Sequence, residues 1–491
     1  MHYHISVAEP GSHFLCLTYI IPDIASDYIE IQLPAWRPGR YEIQNFAKNI
    51  QFIEAVSQSG EKLSIIKITK DRWRIATKGE TEVKVQYSYY AAIQNAGSSY
   101  VDGELWYLNF INFCMYTEGR ISEPYQVFLD LPEGYQVACG LPFHGANTLT
   151  AGDFYQLVDS PLLASLTLQK SEYEVNGVDF KIWMHGNLKP NWKRIERDFK
   201  RFSREQIATM KEFPEQDYHF LNLILPTAFY HGVEHRNSTM VVLGPDDEGE
   251  GLYSDLLGVS SHELFHAWNI IRIRPIELFP YDFTKENYFR TCFVAEGCTT
   301  YYGDLFLKRA GVFNHETYIK ELQVYMKRHF ENNGAASLSL TDSSFDLWLD
   351  GYEKGIPDRK VSVYHKGALV ALILDLYIRK KTSHEQSLDD VMLLLWMRFG
   401  KPYIGYTLED YINIVEEVAG ESLEWYWQEC IFGNNPLETR LNEAMAFVGL
   451  QMTTFSNGNI QLNVLDDFRA QIQRDKWLST VQKHTEDEEE E

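Results

Sequence analysis

Residues 261–269 read Ser-His-Glu-Leu-Phe-His-Ala-Trp-Asn, so that two histidines, His262 and His266, stand four positions apart. On a helix this spacing places both imidazoles on one face, where two ring nitrogens can reach one zinc ion at roughly 2.0–2.1 Å. Glu263 lies beside His262 and would flank the open side of the metal. Short patterns of this kind also arise by chance, so two ordinary helix histidines remain an alternative on these residues alone.

A carboxylate that could complete a metal site follows further along the chain. Glu296 is the lone charge in the otherwise apolar stretch 293–302, which has helical spacing. A buried glutamate must be paired or bound to a metal, because burying its charge unpaired is costly. Two histidines and one glutamate leave a fourth position for water, as a catalytic zinc site requires, and predict one zinc ion per chain. The alternative is a carboxylate at a helix surface or in a salt bridge.

The hydrophobic pattern predicts an α+β protein of more than one domain. Residues 1–170 alternate polar and apolar side chains, for example over 28–33 and 82–89, which predicts an N-terminal β-rich domain. Residues 171–436 change to helical spacing and predict a second, mainly helical domain. Residues 437–491 form a short C-terminal region of uncertain fold.

Within the second domain, an apolar stretch over 220–225 predicts a buried strand that leads toward a further strand over 233–242. In the C-terminal region, residues 459–465 form a candidate strand. The predicted helices run roughly over 253–269, 288–309, 361–379, 388–399 and 407–420.

The amino-acid composition weighs against some classes of binding partner. The net charge of -24 weighs against nucleic acid or an anionic membrane, since both require clustered Lys and Arg. The apolar runs are too short to cross a bilayer, and the residues after Met1 lack the pattern of a signal peptide. Six cysteines without a CxxC pair favour reduced thiols and a cytoplasmic location. The acidic run 485–491 is expected to be a solvated, disordered end. The oligomeric state is left open.

Five segments, taken together and in this order, resemble the glycyl aminopeptidase family of HExxH zinc metallopeptidases, which are of the gluzincin type. The segments are Leu33–Tyr41, Tyr230–Thr239, His262–Pro275, Glu296–Tyr302 and Tyr364–Val370. The resemblance covers about residues 1–440. It implies an N-terminal β domain, a thermolysin-like catalytic domain and a zinc site built from His262, His266 and Glu296.

The resemblance also implies a substrate anchor. In related aminopeptidases a glutamate on a strand lining the cleft binds the free α-amino group of the substrate, and Glu234 in Gly232-Val233-Glu234 is similar to it. Gly232 and Val233 are likewise predicted to bind substrate. An anionic anchor for an ammonium group would select peptides with a free N-terminus. The alternative is an ion pair of Glu234 with Arg236 or another base. His231 stands where a second glycine is common in the family, which bears on specificity.

Catalytic roles follow from the same resemblance. Glu263 would act as general base toward the attacking water, with zinc polarising the scissile carbonyl. Tyr364, at the start of an apolar predicted helix, would donate its hydroxyl to the oxyanion. His365 or Tyr301 could supply this donor instead.

The activity predicted from these residues is zinc-dependent release of small N-terminal residues such as Gly and Ala. Two alternatives of other classes are a zinc endopeptidase, in which Glu234 is structural, and a catalytically silent peptide-binding protein. The family usually carries a C-terminal PDZ domain, and 447–452 is similar to its opening strand. Too few residues follow for a domain of about 90. Residues 437–491 are therefore expected to hold a truncated or vestigial PDZ domain.

Overall fold

The N-terminal part of the chain is built almost wholly from strands, as its alternating pattern predicts. The computed structural model describes residues 1–145, 147–246, 249–331, 337–350, 352, 356, 359–455 and 458–480. The N-terminal strands are β1 (His2–Ser6), β2 (Phe14–Ile21), β3 (Tyr28–Gln32), β4 (Ile50–Ser57), β5 (Lys62–Leu63), β6 (Ile65–Thr69), β7 (Arg72–Ala76), β8 (Val83–Tyr90), β9 (Tyr100–Val101), β10 (Leu105–Leu108), β11 (Tyr116–Thr117), β12 (Tyr125–Leu129), β13 (Gln136–Cys139), β14 (Phe143–His144), β15 (Thr148–Ala151) and β16 (Leu162–Ser165). A short helix, α1 (Phe154–Val158), precedes β16.

These strands form three sheets. The largest has the order β14-β15-β12-β1-β2-β8-β4-β5, and the smaller two have the orders β13-β16-β10-β9 and β11-β3-β7-β6. Along β8 the side chains of Val83, Val85, Tyr87 and Tyr89 are buried while their neighbours are more exposed. Burial of every second side chain is what the period-two pattern predicts.

The catalytic half begins with a second kind of sheet. Its strands are β17 (Gln169–Val175), β18 (Val178–His185), β19 (Asp217–Ile224), β20 (Phe229–Glu234) and β21 (Ser238–Gly244), in the order β17-β18-β19-β21-β20. β18, β19 and β21 are parallel, whereas β20 runs antiparallel to β21 and forms one edge of the sheet. The helix α2 (Trp192–Met210) connects β18 to β19.

The prediction of one strand over 233–242 is wrong. The chain turns between β20 and β21, where the backbone N–H of His235 donates to the carbonyl of Ser238 over 3.0 Å. The Asn237 side chain holds this turn by donating to the carbonyl of Gly140 over 2.9 Å. Apolar residues on both sides of the turn made the pattern look continuous. The hairpin matters because it brings Glu234 to the end of an edge strand.

The remaining elements of the catalytic half are helices, in agreement with the predicted fold class. They are α3 (Glu250–Phe265), α4 (Thr299–Arg309), α5 (His315–Phe330), α6 (Leu340–Phe345), α7 (Leu347–Asp350), α8 (His365–Lys381), α9 (Leu388–Leu395), α10 (Leu408–Ala419) and α11 (Glu424–Tyr426). Single π-helical turns occur at Phe293–Cys298, Trp396–Gly400 and Trp427–Ile431. None of the described helices combines the length and the apolar character needed to span a bilayer.

Two helices differ from their predicted limits near the histidine motif. α3 ends at Phe265, not at residue 269, because the chain leaves the helix in a turn that closes with a positive φ of 96° at Ile270. The helix predicted from residue 288 begins instead with the π turn Phe293–Cys298, which contains Glu296. Single π turns inside helices occur frequently at functional sites.

The C-terminal region packs onto the catalytic helices. It contains α12 (Glu438–Ala446), the hairpin β22 (Leu450–Thr454) and β23 (Ile460–Val464), and α13 (Phe468–Leu478). Trp477 of α13 is fully buried and its indole N–H donates to the hydroxyl of Tyr301 over 2.9 Å. The stretch 447–452, predicted to open a PDZ domain, thus leads into a hairpin and helix that cover α4 and α5. The acidic run 485–491 lies outside the described residues.

One turn of the N-terminal domain reaches into the catalytic domain. The backbone N–H of Ala35 donates to the carbonyl of Phe283 over 2.8 Å, and the indole of Trp36 donates to the carbonyl of Asp282 over 2.8 Å. Trp36 is fully buried, with its ring edge-on to those of Tyr281 and Trp348. We call residues 37–40, which follow Trp36, the interdomain turn. It lies against the site described next.

Candidate metal centre and active site

Three side chains predicted as metal ligands converge at one point. The Nε2 atoms of His262 and His266 are 3.0 Å apart. The Oε2 atom of Glu296 lies 3.8 Å from Nε2 of His262 and 3.4 Å from Nε2 of His266. Ligands about 2.0–2.1 Å from a tetrahedral zinc ion are separated by similar distances. The donor atoms therefore have the spacing and the chemistry that zinc requires.

The end of α3 orients His266 toward this point. Its Nδ1 atom lies 2.8 Å from the carbonyl of Asn269, which can only accept, so Nδ1 carries the proton and Nε2 is left with its lone pair. The Asn269 side chain in turn donates to the carbonyls of Val294 and Ala295 over 2.8 and 3.1 Å. These bonds link the turn after α3 to the π turn that carries Glu296.

Glycines let the helices around the centre approach closely. A methyl group on Gly303 of α4 would lie 3.3 Å from Cβ of His262, which is tight contact. A methyl group on Gly297 would lie 2.5 Å from Cα of Gly367 in α8. Gly297 directly follows the predicted zinc ligand Glu296. The close packing of α8 against the metal centre therefore depends on the missing side chain at residue 297.

The charges at the centre also favour a cation. Glu234, Glu263 and Glu296 are each at most 6% exposed, and burial raises the pKa of Glu234 and, more strongly, that of Glu263. Burial lowers the pKa of His266, but the charges of Glu296, Glu234 and Glu263 outweigh it and raise the pKa to about 10. A divalent cation in place of that proton would balance these carboxylates and leave His266 neutral, as a ligand must be. The residues present therefore fit a zinc ion.

Glu263 has the surroundings expected of a general base. Its side chain is buried, and Oε2 has no hydrogen-bond partner among the described residues. The other oxygen, Oε1, lies against Gly232 of β20, where a methyl group would overlap it and would also lie 2.7 Å from Val259. One carboxylate oxygen thus lies close to the edge strand, while the other has no hydrogen-bond partner among the described residues.

Gly232→Ala is therefore expected to displace the Glu263 carboxylate, lowering kcat by about 10- to 100-fold while zinc stays bound, since a small misplacement of a catalytic group is costly. Turnover and zinc content of the purified variant measure this. Gly251→Ala is the matched control, because a methyl group there meets no atom within 4 Å. Equal kcat values for the two variants would contradict the close approach described here.

Glu234 lies next to Glu263 at the end of β20. Oxygen atoms of Glu234 and Glu263 and a ring nitrogen of His266 all lie within 4.8 Å of one another. Arg236, the alternative ion-pair partner, is bound instead to Glu215 over 2.8 Å. Within the described part of the chain, no basic side chain forms an ion pair with Glu234. This buried carboxylate thus has no cationic partner outside the metal centre.

The interdomain turn covers the Glu234 carboxylate. Gly39 has a φ of 76°, and a methyl group on it would lie 2.6 Å from Oε2 of Glu234. Only glycine combines this backbone conformation with this contact. Val233, also predicted to bind substrate, has its side chain buried against the N-terminal domain with Leu105 and Tyr107. Any contact of Val233 with substrate would therefore be through its backbone.

The three candidate oxyanion donors differ in position. Tyr364 and His365 line the same cleft as His262, whereas the Tyr301 hydroxyl donates to Asp375 over 2.6 Å and is absent from that lining. Burial and the nearby charge of Glu296 raise the pKa of Tyr364 well above its usual range, so the hydroxyl keeps its proton. Burial and Arg328 lower the pKa of His365 to about 4, which leaves its ring neutral.

Two family models match the chain. The model of the peptidase M61 N-terminal domain matches residues 2–166, and the model of M61 glycyl aminopeptidase matches residues 255–370. Together they cover more than half of the sequence. The chain belongs to the M61 glycyl aminopeptidase family. It is a metallopeptidase, and its predicted family is confirmed.

Solved structures share the fold of this chain. An aminopeptidase N family protein from Idiomarina loihiensis is 29% identical, with a TM-score of 0.87 over 92% of this chain and 79% of that chain. An M1 zinc metallopeptidase from Deinococcus radiodurans is 14% identical, with a TM-score of 0.56 over 89% of this chain and 94% of that one. A variant of that enzyme with Tyr-Ser-Ala bound has a TM-score of 0.55 at 15% identity over the same shares. A search of curated proteins found no match.

Some residues of this M61 site were not predicted. The cleft has a volume of about 800 Å³, and its lining includes Gly39, Tyr230, Asp255 and Asp304. Gly39 belongs to a segment quoted for the resemblance, but its Arg-Pro-Gly pattern predicts only a turn. Burial raises the pKa of Asp304 to about 7, and the Tyr325 hydroxyl donates to its carboxylate. No spacing in the sequence connects Asp304 to the metal centre.

Proposed function

We propose that this metallopeptidase is a zinc-dependent aminopeptidase that releases small N-terminal residues such as Gly and Ala from peptides. The observation that carries the proposal is Glu234, a buried carboxylate with no ion-pair partner in the described part of the chain, within 4.8 Å of Glu263 and His266. An ammonium group is the natural partner for such a carboxylate. The preference for small residues rests on the family's description as glycyl aminopeptidases.

The edge strand β20 indicates the direction in which a peptide substrate would bind. β20 pairs only with β21 within its sheet, and residues 229–232 line the cleft, so an extended peptide can pair with it. A peptide antiparallel to β20 would place its N-terminus toward Glu234. Gly232, two residues before Glu234, is the residue that touches Glu263. A two-residue step along β20 therefore separates the amine anchor from the general base, which is consistent with release of single residues.

Each residue of the site has a role in this reaction. His262, His266 and Glu296 hold one zinc ion, which when bound polarises the scissile carbonyl and activates water. Glu263 takes the proton of the attacking water on Oε2 and passes it to the leaving amine. Tyr364 donates its hydroxyl to the developing oxyanion. Glu234 binds the ammonium group and orients the first residue.

The proposal is tested with matched peptides that begin with Gly or Ala and carry either a free or an N-acetylated terminus. We expect the zinc-loaded protein to cleave only the free peptides, and a chelator to abolish cleavage until zinc is restored. Cleavage of the acetylated peptides would favour the endopeptidase. Absence of any cleavage would favour a peptide-binding protein.

Glu234→Gln is expected to lower kcat/KM for the free peptides by about 10- to 100-fold, the effect of losing one buried charge-assisted contact. The measurement is steady-state hydrolysis at equal zinc content. Glu321→Gln, which removes a carboxylate that lines the cleft, is the control and should retain most activity. An unchanged kcat/KM in Glu234→Gln would contradict the anchor and leave Glu234 a structural residue.

We also propose a cytoplasmic location. All six cysteines are free, which is typical of proteins in a reducing compartment.

A further inference from the structure

A second cavity lies on the other side of the interdomain turn from the metal cleft. It has a volume of about 250 Å³, and its lining comes from both the N-terminal and the catalytic domain. Arg37 and Pro38 line this cavity, whereas Gly39 and Arg40 line the metal cleft. The interdomain turn thus contributes residues to both cavities.

Arg37 is a buried charge that forms no ion pair with a side chain of the described residues; the carboxylate that acts on it is that of Glu234. It is 2% exposed, and among the described residues its one hydrogen bond is from Nη1 to the carbonyl of Pro38 over 3.0 Å. Its Nε and Nη2 atoms are buried and have no partner among the described residues. Burial lowers the pKa of Arg37, and the charge of Glu234 opposes this shift, but arginine keeps its proton in proteins.

Arg274 enters the same cavity from the catalytic domain. It is 6% exposed and bonds only to backbone carbonyls, those of Ile270 and Ile271, over 3.4 and 3.0 Å. Its guanidinium lies over the ring of Tyr281, 4.2 Å from the ring centre. Neither Arg274 nor Arg37 forms an ion pair with any carboxylate of the described residues. An unpaired buried charge destabilises a fold, so two buried arginines at one cavity favour binding of an anion there.

The carboxylates around this cavity are engaged elsewhere. Asp159 accepts from Nδ1 of His235 over 2.8 Å and from the backbone N–H of Arg236 over 3.1 Å. Asp153 accepts from the backbone N–H of Gln156 at the start of α1. The two other arginines of the lining, Arg236 and Arg272, share Glu215. The nearby acidic side chains therefore leave Arg37 and Arg274 without a direct partner.

We propose that this cavity binds a small organic carboxylate, which pairs with Arg37 and Arg274. A guanidinium matches the planar carboxylate in a two-bond arrangement. The volume exceeds the roughly 30 Å³ share of one water several-fold. Aromatic side chains line it, namely Tyr155, Phe279, Tyr281, Phe283 and Tyr403, and can cover the apolar part of such a ligand. This site uses neither the metal nor Glu263, so it is separate from the proposed peptidase reaction.

Calorimetric titration of the zinc-loaded full chain tests the proposal, with benzoate, acetate, chloride and phosphate as probes at constant ionic strength. We expect saturable binding of the two carboxylates, with benzoate tighter because of the aromatic lining.

Arg274→Gln and Arg37→Gln should each weaken benzoate binding by about 10- to 100-fold. Both variants are made so that benzoate binding can still be tested in one of them if the other does not fold. Arg398→Gln, which removes an exposed arginine paired with Glu417, is the control and should bind as the original chain does.

Three outcomes would overturn the proposal. The first is absence of saturable carboxylate binding. The second is benzoate binding that survives in Arg274→Gln and Arg37→Gln, which would place the carboxylate at the zinc ion. The third is binding of chloride or phosphate as tight as that of benzoate, which would show a general anion effect. The readout is binding heat, so failure of the peptidase proposal does not affect it.

Discussion

Glu263→Gln is expected to lower kcat by about 10³- to 10⁴-fold while leaving zinc content unchanged. The carboxylate touches Gly232 through one oxygen and keeps the other unpaired, so the amide retains the shape but cannot take the proton from water. Removal of a general base costs factors of this size. Turnover of free Gly and Ala peptides, together with metal analysis of the same preparation, measures both effects.

Glu417→Gln is the control for this change, because it replaces an exposed carboxylate bound to Arg398 over 2.7 Å. It should have the activity of the original chain. Glu263→Asp should recover part of the lost turnover, since it keeps a carboxylate. Normal turnover in Glu263→Gln would contradict the assignment of Glu263 as the general base.

His266→Ala is expected to remove both zinc and activity. His266 supplies one of three donor atoms, and its Nε2 is 3.0 Å from that of His262. Without it a metal would be held by two side chains, and Glu234, Glu263 and Glu296 would remain buried together. We expect zinc content below about one tenth per chain and a lower Tm, because a ligand that binds only the folded state stabilises it.

His384→Ala serves as the control for the loss of a histidine. His384 lies beyond α8 and contacts Gln473 over 2.9 Å, so its removal should leave zinc content unchanged. Chelation of the original chain should reproduce the His266→Ala behaviour, and added zinc should restore the original chain only. A His266→Ala protein with one zinc per chain would show that the ligand set is different.

The metal centre could be predicted from the sequence because its chemistry follows from spacing. His262 and His266 lie one helical turn apart, and Glu296 was recognisable as a charge in an apolar stretch. Their convergence also needed Asn269 and two glycine contacts between helices, which no periodicity shows. The hairpin at His235 was missed for a related reason, since apolar strands continue on both sides of a short polar turn.

The second cavity could not be predicted at all. Arg37 and Arg274 are separated by more than two hundred positions, and although both lie in segments quoted for the family resemblance, no pattern in those segments links them. Arginine is normally a surface residue, so only the fold reveals that these two are buried with no carboxylate of the described residues paired to them. Sites assembled from different domains depend on the packing of those domains, which local patterns do not encode.

Because the interdomain turn lies against Glu234, we expect the catalytic half alone to lack activity. Gly39 lies against the Glu234 carboxylate, and the neighbouring Val233 is buried in one apolar cluster with Leu105 and Tyr107 of the N-terminal domain. Excising the N-terminal domain would open that carboxylate to water and uncover an apolar sheet face. Sequence changes at positions 37–40 and on β20 should therefore be inherited together, and a chimera that exchanges one domain for a distant relative's should lose activity with its zinc ligands intact.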